Sequence, residues 1–231
     1  LRLLLVASAH GGVEAANKVK SQHLWMFLFL TYIVLPPVAM KQLQSLNCYE
    51  YDHRGMVAPM RYLRVDTGID CDSDEYIQFR KRILVFIFLY QLIPLLWYRL
   101  LRSRRSALNP PVSKADATLG IYIRDKDVSL NSLRFLFSCY KCESWWFEVA
   151  EMYRRMVFVS AIPLASPVPA TRASLGCVLS IASMMYYRET QPFTEGLTNF
   201  IAYMSQLVVF LTFYAALGVE TGVIITFGMG D

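Results

Sequence analysis

The chain has 231 residues, 55% of them hydrophobic and 14% aromatic, with a mean hydropathy of +0.34 and a formal net charge of +5. So apolar a composition excludes a domain built for water alone. The 23 Lys and Arg and 18 Asp and Glu fall mostly between long uncharged runs, the hydropathy pattern of a helical bundle in lipid. A lipid bilayer, and not nucleic acid, is the expected partner.

In chain order, residues 1–20 form an N-terminal segment whose apolar start at Leu1 is too short for a secretory signal, and the chain reads as part of a longer product. A bilayer core takes roughly 20 apolar residues per helix. Residues 21–40 hold no charge and make a first span. Residues 83–98 make a second, continued by Leu100 and Leu101, with Arg99 and Arg102 extending their stems to the headgroups. A third is expected over 145–164, a fourth over 173–187 and a fifth over 196–219, the longest uncharged run. Glu220 then interrupts, and 220–231 reads as an interfacial tail or truncated sixth helix.

The expected fold is therefore all-α, a polytopic bundle with about five transmembrane helices over 21–219. Between the spans lie an outer loop, 46–80, and an inner loop, 102–144. The inner loop is basic (Arg102, Arg104, Arg105, Arg124, Lys126, Arg134, Lys141) and the outer one acidic (Glu50, Asp66, Asp70, Asp72, Asp74, Glu75). The positive-inside rule then puts residues 1–20 in the cytoplasm, with one cluster, Arg80, Lys81 and Arg82 at the outer end of the second span, disagreeing.

Cys48 and Cys71 share the outer loop, where an oxidising compartment makes a disulfide the natural reading and two free thiols the alternative. Cys139 and Cys142 form a lone CxxC, read as two small interfacial residues before a zinc site, and Cys177 as a packing residue. The run Asp70 to Glu75 suggests calcium, but a helix-loop-helix site wants Gly at its sixth position and Glu at its twelfth, and here those are Glu75 and Lys81. No metal and no cofactor is expected, and no phosphate-binding loop, metalloprotease motif, nucleophile elbow or dinucleotide fingerprint marks an enzyme.

The third span is the chemically unusual one, because Glu148, Glu151, Arg154 and Arg155 follow Trp145 and Trp146 in its first turns, near the headgroups. Glu151 and Arg155 stand at i,i+4 and pair within the helix, which leaves Glu148 and Arg154 to find partners elsewhere. One reading is a voltage sensor or ion path; the other, favoured because no charge recurs deeper in the span, is a salt-bridged clamp between helices. Tyr203 and Gln206 in the fifth span serve either a pore or interhelical hydrogen bonding.

Several strings form a set: YLRVDTGIDCDSDEYIQFR at 62–80, IPLL at 93–96, LNPP at 108–111, WWFEVAEMYRRM at 145–156 and TQPFTEGLTNFIAYMSQLVVFLT at 190–212. Together, over about 32–217, they resemble the transient-receptor-potential-like (TRP-like) membrane region near the C-terminus of large, repeat-rich proteins of algae, oomycetes and other protists. The resemblance implies a channel-like polytopic domain, acting as an oligomer or as a subunit of a larger complex in a plasma or flagellar membrane. Channels of that class build the pore from their last two helices and a filter loop, and neither a filter nor a complete sixth span is visible here. Three functions follow as expectations: a cation-conducting channel, a non-conducting anchor or structural subunit, and a receptor or transporter with a polar cavity.

Overall fold

The structure, a computed structural model, describes residues 2–51, 60–113 and 116–223, with side chains from residue 19 onward outside the gaps. Helix α1 runs Arg2–Gln44, Pro36 and Pro37 included. Three short strands follow, β1 (Cys48–Tyr51), β2 (Met60–Leu63) and β3 (Asp66–Asp70), in one antiparallel sheet of order β1-β2-β3. The fold is therefore mainly helical, not all-α. The strands are four or five residues long and mostly exposed, so no hydrophobic alternation announces them. A Cys48–Cys71 disulfide closes the sheet, and beneath it Leu63 packs with Tyr76, whose hydroxyl donates to the Ser45 carbonyl.

The outer loop ends at residue 73 because Ser73 caps α2 (Asp74–Gln91), accepting from the Tyr76 amide, and Asp74 and Glu75 complement the positive helix end. Leu92 links α2 to α3 (Ile93–Ser103), where Pro94 sits at the start of the new helix, the one place its missing N–H costs nothing. Arg104 turns the chain into α4 (Arg105–Leu108), and α5 (Ala117–Lys126) precedes a 3₁₀ segment, Val128–Leu136.

This inner region is no open loop. Leu130, Leu133, Leu136 and Phe137 are buried with Leu28 and Leu35 of α1, Trp97 and Leu101 of α3, and Trp145 and Met152, so the 3₁₀ segment is part of the main core. Phe135 makes edge contacts with Trp25, Phe29 and Tyr32 of α1.

The expected third span is α6 (Phe147–Met156), a π-helical turn (Val157–Ala161) and α7 (Ile162–Ala165). Pro163 has no N–H for the preceding turn, and the helix widens there, the Ile162 amide reaching back to the Val157 carbonyl. Helices α8 (Pro169–Thr190) and α9 (Gly196–Glu220) form an antiparallel hairpin. Its turn carries Gln191 with a positive φ of 37° and is pinned to the segment before α6: Lys141 N donates to Pro192 O at 2.9 Å and Thr194 N to Cys139 O at 3.1 Å.

Three helical stretches, Val19–Gln44, Asp74–Ser103 and Gly196–Glu220, are long and apolar enough to cross a bilayer, which marks a membrane protein. The other two expected spans do not meet that measure. α6–α7 is interrupted and carries four charges, and α8, with 22 residues, is less apolar. The tail expected over 220–231 lies outside the described residues from 224 on.

Candidate functional site: a buried charge cluster

Helix α6 turns one face inward, burying Phe147, Glu148, Val149, Glu151, Met152 and Met156. Glu151 is 5% exposed and is the hub of the cluster. Its Oε1 accepts from Arg154 Nη2 at 2.7 Å and Arg155 Nε at 2.8 Å, and its Oε2 accepts from Arg154 Nε at 2.7 Å and from the Tyr187 hydroxyl of α8 at 2.6 Å. The expected Glu151–Arg155 pair is present, and Arg154, one turn on at i,i+3, shares the same carboxylate.

Both guanidiniums then reach other helices. Arg155 Nη1 donates to the Tyr32 hydroxyl of α1 at 2.9 Å, and Arg154 Nη1 donates to Gln206 Oε1 of α9 at 3.0 Å. Gln206 is the buried residue of α9 and lies ten residues beyond Gly196, about 15 Å along the axis at roughly 1.5 Å per residue. The Arg154 guanidinium thus meets α9 near the middle of that helix. Its guanidinium is flanked by the rings of Phe158 and Tyr187, 5.5 and 5.8 Å from the centroids.

Glu148 takes a different partner, accepting at Oε2 from the Tyr140 hydroxyl, while its buried Oε1 has no hydrogen-bond partner. Burial, reinforced by the Glu148 carboxylate, pushes the Tyr140 hydroxyl far above its ordinary pKa, so it stays a proton donor. The Tyr140 ring packs at a tilt against Phe147 and Phe193, and its carbonyl accepts from Arg124 Nη1 at 2.7 Å. Arg124 is 1% exposed, pairs with Asp125 and covers Phe137.

The sequence marks the four charges and Gln206 but not Tyr32, Tyr140 or Tyr187, and Arg124 only as one of the basic residues of the inner loop. No spacing signal marks those residues, because each arrives from a separate element. Tyr203 lines a cavity of about 340 Å³ at the base of the hairpin together with Tyr187 of the cluster, Arg188, Gln191 and Asn199. Cys139 is exposed and Cys142 half-buried, and among the described residues no group of three His, Cys, Asp or Glu converges on one point.

The cluster links α1, α6, α8 and α9 by charged hydrogen bonds. It has equal numbers of acidic and basic side chains; Glu151 accepts four bonds and holds both guanidiniums, whereas Glu148 is bonded through one oxygen only. In comparison with known proteins, the chain matches no family model, no curated protein and no solved structure.

Proposed function

We propose that the chain is a channel-like membrane domain of TRP-like type that crosses the bilayer five times. In this reading α1, α2–α3, α6–α7 and α8 form a bundle that positions α9, and copies associate so that their α9 helices contribute to a cation path. The observation that carries the proposal is the Glu151–Arg154–Gln206 relay, which joins the bundle to α9 through its buried residue. The ordered resemblance over 32–217 supports the class, and the exposed apolar face of α9, including Phe200, Val208 and Leu211, suits contact with lipid or with another copy. The plasma or flagellar membrane is the proposed site.

A second reading is a non-conducting anchor in a larger assembly, and the saturation of Glu151 favours it, since a hub carboxylate that spends its bonds on Arg154, Arg155 and Tyr187 serves to hold helices together. Recording from the purified chain in planar bilayers separates the two. Discrete cation-conducting steps, with open probability but not unit conductance altered by Gln206→Leu, support the channel. Silent bilayers, with the chain held among other subunits on purification, support the anchor.

A further inference from the structure

At the far end of the α8–α9 hairpin from its turn, a groove of about 270 Å³ opens between α7, the start of α8 and the end of α9. Its floor is apolar, formed by Phe158, Ile162, Ala173 and Phe213, and its mouth carries one cation, Arg172, and one anion, Glu220. Arg172 stands in the first turn of α8 and Glu220 is the last residue of α9.

Each charge therefore faces the helix-dipole end of its own sign, an unfavourable place for it. Neither forms an ion pair with a described residue. Arg172 makes one long bond, 3.4 Å, to the Pro163 carbonyl, and Glu220 is exposed. Two opposite charges without an ion-pair partner among the described residues, at one end of the α8–α9 hairpin and over an apolar groove too small for a whole lipid, complement a zwitterionic headgroup with part of one acyl chain.

We infer that this groove is a binding site for a zwitterionic phospholipid. Arg172 takes the phosphate, Glu220 takes the ammonium, and the chain enters between Phe158 and Phe213. The site uses none of the cluster residues and does not depend on conduction. Under the five-span reading the groove lies in the leaflet on the sheet side, and only that placement rests on it.

The test is native mass spectrometry of the full chain, delipidated in detergent and titrated with phosphatidylethanolamine or with phosphatidylglycerol of the same acyl chains. The wild type is expected to retain one phosphatidylethanolamine at least fivefold more tightly than phosphatidylglycerol, which offers the phosphate without the ammonium. Glu220→Gln should abolish that preference, and Arg172→Gln should weaken both lipids. Ala216→Trp, at an exposed position on the groove wall, should displace both. Equal retention of the two lipids by the wild type overturns the inference, and so does an unchanged preference in Glu220→Gln, whose exposed position keeps the fold intact. Retention of lipid by a folded Ala216→Trp overturns the location.

Discussion

At the residue scale the cluster sets a clear order of importance. Removing one partner of a buried ion pair strands the other in low dielectric at a cost of about 3–5 kcal/mol. Glu151→Gln strands two guanidiniums at once and should lower unfolding free energy in detergent by about 3 kcal/mol. The Arg155 side chain is 41% exposed, so water replaces much of what it loses, and Arg155→Ala should cost only about 1 kcal/mol. Thermal or denaturant unfolding of both variants checks this, and a larger loss in Arg155→Ala would contradict Glu151 as the hub. The paired thiols differ as well. Burial pushes the Cys142 thiol up, with the Arg124 charge opposing, whereas Cys139 is exposed. Because the thiolate reacts, a maleimide at pH 7.5 should modify Cys139 well before Cys142 in the folded protein, a difference mass spectrometry of digests resolves.

At the scale of elements, two contacts decide how pieces are held. The disulfide closes a loop across a sequence separation of 23, and losing such a constraint typically costs about 2–4 kcal/mol. Cys48→Ser with Cys71→Ser should therefore open the sheet to protease while leaving helical circular dichroism nearly unchanged. In the hairpin, a Cβ at Gly176 would lie 2.2 Å from the Phe213 ring, so α8 and α9 meet there at a distance only glycine permits. Gly176→Ala should cost about 1–3 kcal/mol, and less when combined with Phe213→Leu, which makes room. Much of this level was legible in the sequence. Long uncharged runs mark α1, α2–α3 and α9, and two cysteines in one acidic loop mark the disulfide. The sheet was not legible, because short exposed strands carry no alternation. Nor was the 3₁₀ segment 128–136, whose leucines read as a loop until α1 and α3 bury them. The hydroxyls of Tyr32, Tyr140 and Tyr187 reach the charges by tertiary contact, which no local pattern encodes.

At the scale of the whole molecule, the arrangement turns on how many times the chain crosses. Length and apolarity single out three helices, yet α6–α7 and α8 are joined to two of them, α1 and α9, through Tyr32 and Gln206. Charged side chains become affordable in a bilayer when they are paired and face the bundle interior, and the bonds to Glu151 provide that pairing. Five crossings thus follow if α9 crosses, since α8 lies antiparallel along it with Ala173 beside Phe213, and two, by α1 and α2–α3, if the whole α8–α9 hairpin stays on the inner side. The link between α7 and α8 distinguishes these, since Val168 is 51% exposed there, as Val65 is at 58% in the sheet. In a Cys139→Ser background, cysteine at Val65 should react with a membrane-impermeant maleimide on intact cells, and cysteine at Glu195 only after permeabilisation. Val168→Cys is the deciding position. Reaction from outside, matching Val65→Cys, fixes five crossings and places the charge cluster inside the membrane. Protection until permeabilisation, matching Glu195→Cys, leaves only α1 and α2–α3 crossing and places the α8–α9 hairpin, and the cluster that bonds to the middle of α9, on the inner side outside any conduction path.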